Sequence, residues 1–352
     1  MLPYRAGLVA QRQVTIEWGS GSGAFVGTSK LPAQAELDSS EALLRTGHDW
    51  WVRGSAALHR NSCWIPLLGT CVYAWYGGIL LAGEAGPPGD QAPTVQQIDT
   101  SFPHAARVWN YWLGGKDNYP VDREIGNQIL ESFPPMADIA RAQRTFLVRV
   151  VTHLAREEGI RQFLDLGTGL PTQNNTHEIA QSVAPECRIV YVDNDPLVLA
   201  HARALLVGAP EGATAYIDAD VRETEAVLEA AGATLDMTQP IGVTMLGILG
   251  HMEDEEAYRV ARSYVDALPT GSYLGVADTT NTSDEVEQAE QMWNDSDSLP
   301  YFTRSPEGIA RFFDGLELVE PGVVPALEWR PDPEAIGTVP EVDEYCGLAR
   351  KS

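Results

Sequence analysis

QFLDLGTGLP, residues 162 to 171, starts as an apolar strand and closes on Asp165-Leu166-Gly167-Thr168-Gly169. Small residues there allow a tight turn and a close backbone approach to a ligand before a helix begins. A second apolar stretch, Arg188-Ile189-Val190-Tyr191-Val192, runs into the acidic cluster Asp193-Asn194-Asp195-Pro196. In a parallel sheet this order sets a glycine turn and a carboxylate side by side at the carboxyl ends of adjacent strands, where a nucleoside would place its chain and its ribose. Two glycines in an ordinary strand-to-helix turn look the same locally, and the acid on the second strand is what tips the reading. The turn lacks the third glycine of the dinucleotide fingerprint and has no GK[ST], which disfavours NAD and a P-loop nucleotide.

Working outward, the pattern alternates. Helices are predicted over about 175–182, 196–206, 224–231 and 253–268, and strands over 213–217, 241–249 and 271–277. This is the alternation of an α/β fold with a parallel sheet covered on both faces. Further helices are expected over 283–293 and 306–313, a late strand at 315–319, an irregular segment at 321–333, and an edge strand at Tyr345 to Arg350.

Upstream, three helices near 103–113, 123–132 and 136–158 precede the first sheet strand and would cap its carboxyl edge. The first stops at Gly114-Gly115, and the polar loop Lys116 to Asp122 follows. Trp109, Tyr111 and Trp112 fit ordinary packing of that cap or the lining of a pocket. Arg107, Asn110, Lys116, Asp117 and Asn118 are harder to explain as core, although a turn crowded with both signs is often only a solvated loop.

The first ninety or so residues read differently. Gly19 to Gly23 looks like linker, Ala35 to Arg45 like a short polar helix, and GEAGPPGD at 83–90 like a second linker. Between them lies the charge-free run CWIPLLGTCVYAWYGGILLA, 63–82. A marginal membrane span, a packed hairpin or helix, and a poorly ordered extension or misplaced start all compete for it. The abrupt change in composition favours the extension, and Pro66 with Gly77-Gly78 weakens the span.

The 352 residues suffice for one large domain with an appendage. A net charge of -25 repels nucleic-acid phosphate, so no nucleic-acid partner is expected. Cys63, Cys71, Cys187 and Cys346 include no CxxC pair, which supports neither a zinc site nor a disulfide framework and points to a reducing cytoplasm. Oligomeric state is left open.

From about Thr94 onward the chain resembles the actinobacterial S-adenosyl methyltransferase family, long carried as a domain of unknown function. The resemblance rests on PHAARVWNYWLGGKDNYPVDRE (103–124), FLDLGTGLPTQNNTHEIAQ (163–181), VYVDNDPLVLAHARALL (190–206), YIDADVRE (216–223) and RFFDGLELVEPGVVPALEWRPD (311–332), in that order. It implies a Rossmann-like class I methyltransferase sheet with helices on both faces, an N-terminal helical cap over about 94–158, and S-adenosyl-L-methionine as cofactor. On this reading residues 91–352 are the methyltransferase domain and 1–90 an atypical extension.

The resemblance also implies site residues. Asp165, Gly167, Thr168 and Gly169 would form the cofactor loop, and Asp193 would take the ribose hydroxyls. Asn194 would lie by the adenine, with Asp220 and Val221 along the base. Loop amides suit the methionine carboxylate, and Asp165 suits its ammonium. Asp220 could instead cap a helix or pair with Arg222. No metal is called for, because Asp193, Asp195, Asp218 and Asp220 are explained by cofactor, caps and loops.

Two places depart from the family. A Leu-His-His pattern is reduced to Leu249-Gly250-His251, and Asp278-Thr279 stands near where Ser-His is more usual. His251 is the candidate base for an acceptor proton, and Tyr111 and Lys116, with Asp117 and Tyr119, are candidates for the lid or acceptor pocket. The expected function is methyl transfer to a small molecule or a protein side chain. The rival is a non-catalytic protein that binds or senses S-adenosylmethionine, motivated by the missing histidines.

Overall fold

A computed structural model describes residues 98–171, 173–205, 208–331 and 341–352, together with five short strands upstream. The chain divides into two units, Met1–Thr94 and Val95–Ser352. In the first, β1 (Val14–Glu17) pairs antiparallel with β2 (Ala24–Gly27), and β3 (Ser62–Leu67), β4 (Thr70–Trp75) and β5 (Gly78–Leu81) form an antiparallel three-stranded sheet. Strands are what the Val, Ile, Tyr and Trp content of the apolar run favours. Among the described residues no helix is long and apolar enough to cross a membrane. The expected linkers at 19–23 and 83–90 and the helix at 35–45 lie outside the described residues.

The second unit opens with α1 (Ala105–Trp112), α2 (Pro120–Ser132) and α3 (Met136–Arg156). Then come β6 (Gln162–Leu166), α4 (Thr176–Val183), β7 (Arg188–Asp193), α5 (Pro196–Leu205), β8 (Ala213–Asp218), α6 (Thr224–Ala231) and β9 (Gly242–Leu246). A single 3-10 turn, Leu249–His251, leads into α7 (Asp254–Ala267), β10 (Tyr273–Thr279), α8 (Asp284–Asn294) and α9 (Pro306–Ala310). Short β11 (Glu317–Leu318) and β12 (Val324–Pro325) precede β13 (Glu344–Arg350).

The sheet order is β11-β13-β10-β9-β6-β7-β8, with β12 also on β13. β8, β7, β6, β9 and β10 are parallel, whereas β13 runs antiparallel to β10, and β11 and β12 antiparallel to β13. This corrects two expectations: the sheet is mixed, and Tyr345–Arg350 is an interior strand. Its outer side is covered by β11, within the late strand expected at 315–319, and by β12, in the stretch read as irregular, and five of its seven residues are buried, as an interior strand requires.

The period of two along β6 and β7 decides which side chain faces which layer. Phe163, Ile189 and Tyr191 enter the core under α3 and α4, while Leu164, Leu166, Val190 and Val192 enter the opposite core with Val243, Met245 and Tyr264. Asp165 therefore points to the α3 side, opposite Thr244 in the parallel register. β6 lies between β7 and β9, so the chain winds outward from it in both directions and leaves a crevice at its carboxyl end.

Candidate functional site

That crevice is a cavity of about 210 Å³. Its floor is the turn after β6. Gly167 and Gly169 have φ of 71° and 66°, and a Cβ on Gly167 would sit 2.5 Å from Cβ of Ile248. A Cβ on Gly169 would instead project into open space on the cavity side. The turn is tied to the tip of β7: the amides of Gly167 and Thr168 donate to the Val192 carbonyl at 2.9 and 3.3 Å, and the Gly169 amide donates to Asp193 Oδ2 at 2.8 Å. Those three amides are thus engaged within the protein.

Asp165 accepts from Thr176 Oγ1 at 2.6 Å and from Thr244 Oγ1 at 3.1 Å, and burial raises its pKa. Asp193 accepts from the Gly169 amide and, through Oδ1, from the Asp195 amide at 2.9 Å. Burial is the main cause that pushes it up to about 6. Each Asp193 oxygen keeps a lone pair. Asn194 is exposed at the rim. At the tip of β8, Val221 is buried and Asp220 accepts from Arg222 through its backbone N at 2.9 Å and Nη1 at 3.0 Å, so Asp220 lines the cavity while paired.

Two imidazoles line the same cavity. His251 Nδ1 lies 2.9 Å from the Pro300 carbonyl, and a carbonyl only accepts, so that nitrogen carries the proton and Nε2 is the bare acceptor. Burial lowers the His251 pKa to about 4. His104 stands at the start of α1 without spending its side chain on the helix cap, and its Nδ1 lies 3.0 Å from Asp195 Oδ2. Burial lowers its pKa and the Asp195 carboxylate opposes that. Beside His251 the Tyr301 ring packs edge-on at 5.1 Å and donates its hydroxyl to Asp278.

Every residue expected to hold the cofactor lines this one cavity, as does His251. Tyr111 and Lys116 do not: the Tyr111 hydroxyl donates to Asn127 Oδ1 at 2.6 Å, and Lys116 is exposed. Sequence reading missed His104, Arg144, Glu290 and Tyr301, all of which line it. Arg144 Nη2 donates to the carbonyls of Gln173 and Asn174 at 3.0 and 2.7 Å, and its buried Nε has no partner. His104 lies in a stretch read only as a helix start, and Arg144 in a helical stripe read as core.

A mixed sheet wound outward from one strand, with a glycine turn on that strand and an acid on its neighbour, defines an α/β protein whose crevice lies where sheets of this kind bind their ligands. The comparisons narrow the class. The chain belongs to the S-adenosyl methyltransferase family, whose model matches residues 91–352. It is 42% identical to a DUF574-family protein from Streptomyces avermitilis of known structure, over 73% of this chain and 100% of that one, with a TM-score of 0.70. It is 40% identical to a proposed methyltransferase from Thermobifida fusca, over 74% of this chain and 97% of that one, with a TM-score of 0.67. No curated protein matches the chain.

Proposed function

We propose that residues 91–352 bind S-adenosyl-L-methionine along the β6, β7 and β8 tips and transfer its methyl group to a small molecule or protein side chain. One observation carries the reading: the Gly169, Asp193 and Val221 edge and the two imidazoles share a single cavity. The residues fit the ligand. The open face of Gly169 admits it, the free lone pairs of Asp193 suit two ribose hydroxyls, and the unpartnered Arg144 Nε suits a carboxylate now that the loop amides are spent. Buried Asp165 beneath the turn supplies negative charge for the ammonium.

Bound there, S-adenosyl-L-methionine would supply an activated methyl carbon on a sulfonium, with a neutral thioether as the leaving group. The protein must align the acceptor, exclude water and take its proton. The Asp195 carboxylate opposes the effect of burial on His104 and would offset the charge of its protonated ring, so His104 is the proton acceptor in this reading, and His251 presents Nε2 as a hydrogen-bond acceptor that orients the acceptor group. Tyr111 and Lys116 are assigned no step. A net charge of -25 supports an acceptor other than nucleic acid. The weak basicity of His251 favours the second reading, binding without turnover, only if His104 proves equally inert.

The test is calorimetric titration of the full chain with S-adenosylmethionine, S-adenosylhomocysteine and methylthioadenosine, which lacks the amino-acid end. Asp193→Ala should weaken all three. Arg144→Met should weaken the first two roughly 10- to 100-fold, the worth of a charge-assisted hydrogen bond, and leave the third unchanged. A folded chain that binds none of them would overturn the cofactor assignment.

A further inference from the structure

The part of the cavity enclosed by the cap and α8 has a different chemistry from the strand tips. Its walls include Trp109 of α1 and Leu113 just after it, Met136 and Leu147 of α3, and Val286 and Trp293 of α8. Trp293 and Leu147 are buried, and the Trp293 indole N–H is spent on the Leu299 carbonyl at 2.8 Å, so that ring offers the cavity only its apolar surface. No lysine lines the cavity. Its two arginines belong to the strand-tip side: Arg222 pairs with Asp220 and Glu256, and Arg144 reaches the carbonyls that follow the β6 turn.

One charged side chain enters from α8. Glu290 lines the cavity and accepts twice from Thr303, from its backbone N at 3.1 Å and from its hydroxyl. Both bonds go to Oε2. Among the described residues, Oε1 has no hydrogen-bond donor and the carboxylate has no cationic partner. A half-buried carboxylate in an apolar, aromatic enclosure without a counter-charge favours a ligand that brings one. A ring or hydrocarbon body gains from the Trp walls, an ammonium gains from both the carboxylate and the ring faces, and an anion is repelled with no cation to receive it.

We propose that this chamber takes a small apolar amine, its body against Trp109 and Trp293 and its nitrogen held by Glu290. This rests on the reading of the strand tips as the cofactor site, and it narrows the acceptor from small molecule or protein side chain to one chemical class. The amine is the recognition handle, whichever atom of the molecule is methylated.

Three probes with one indole ring test it: tryptamine, tryptophol and indole-3-acetate, which are cationic, neutral and anionic at pH 7. Each is titrated calorimetrically against the full chain, with and without saturating S-adenosylhomocysteine. Tryptamine should bind about 10-fold tighter than tryptophol, the size of one charge-assisted contact, and indole-3-acetate weakest. Glu290→Gln should bring tryptamine to the level of tryptophol and leave S-adenosylhomocysteine binding as it was. Indole-3-acetate binding as tightly as tryptamine, a tryptamine preference that survives Glu290→Gln, or no binding of any probe by a protein that binds S-adenosylhomocysteine would each overturn the proposal. Failure of S-adenosylhomocysteine itself to bind strikes the cofactor reading instead, and the probe series without it still reports on the chamber.

Discussion

Gly250 stands where the resemblance leads one to expect a histidine, and the structure shows what occupies the room. A Cβ built there lies 2.3, 2.4 and 2.8 Å from three carbons of the Tyr301 ring, the nearer two about 1 Å or more inside the roughly 3.5 to 4.0 Å at which carbon atoms rest. The ring has little freedom to yield. Its hydroxyl is bonded to Asp278, the Tyr301 amide donates to Asn294 Oδ1 at 2.8 Å, and the next amide donates back to the Gly250 carbonyl at 2.7 Å. Gly250→Ala therefore overpacks a held ring, which costs about 3 kcal/mol, the upper end for such insertions. In a unit of this size that lowers Tm by about 6–12 °C. In a Tyr301→Ala background the clash is gone and the same change should cost nearly nothing, so a double-mutant cycle by urea denaturation should return a coupling of about 3 kcal/mol. Equal losses in both backgrounds, or an unchanged midpoint in Gly250→Ala, would refute the claim that Tyr301 fills the site of the missing side chain.

Two further predictions need no acceptor. His251 should remain neutral down to about pH 4 with its proton on Nδ1, which nitrogen-detected NMR of the imidazole reads directly; titration near the ordinary histidine value would contradict its burial and its bond to Pro300. Two buried carboxyls should each contribute more stability as pH falls from 7 to 5, against the opposing contribution of His251, which stays neutral while its unfolded counterpart protonates. Asp193 and Asp278 are both pushed from 3.8 to about 6, chiefly by burial, so between about 4 and 6 the folded chain holds protons that the unfolded chain releases. Each group's contribution then grows as pH falls, by about 1.4 kcal/mol per pH unit in mid-window, so the difference in urea-unfolding free energy between the natural chain and Asp278→Asn should change with pH between about 6 and 4. A difference that stays constant over that window would show Asp278 ionised at its ordinary value.

How much was legible follows from how local each signal is. β6 and β7 carry unbroken apolar runs ended by glycine or acid, so the strands and their tips could be read within a residue. The place of β13 could not, because whether a strand is interior depends on which distant segments cover it: the strand expected at 315–319 forms as β11, but nothing local says that it pairs with β13, and two-residue β12 leaves almost no pattern. Glu290 and Tyr301 were invisible for the same reason. Each sits in an unremarked polar stretch and reaches the cavity only because the chain folds back after α8. The loop amides illustrate the opposite error. Glycine turns commonly offer their N–H groups to an anion, but here the neighbouring strand takes them first, a fact of register that no motif contains.

The polar residues of the 103–124 motif looked like a binding set, and most of them hold one another. Asn110 Oδ1 accepts from the Asp117 amide at 3.1 Å and from Asn118 Nδ2 at 3.0 Å, which closes the loop on α1. Buried Asp122 accepts from the Tyr119 amide at 2.8 Å, starting α2, and from the His104 amide at 3.0 Å, and it pairs with Arg107 Nε at 3.2 Å. One carboxylate thus fixes where both helices begin. Because His104 is held by its backbone, its ring is free to turn to Asp195, and α1 then carries Trp109 and Leu113 along the cavity wall. Loss of Asp122 would act on the cavity through the placement of His104. The density of polar residues in this motif therefore marks the scaffold, and what it delivers to the cavity includes the imidazole of His104 at its start and the indole of Trp109 further along.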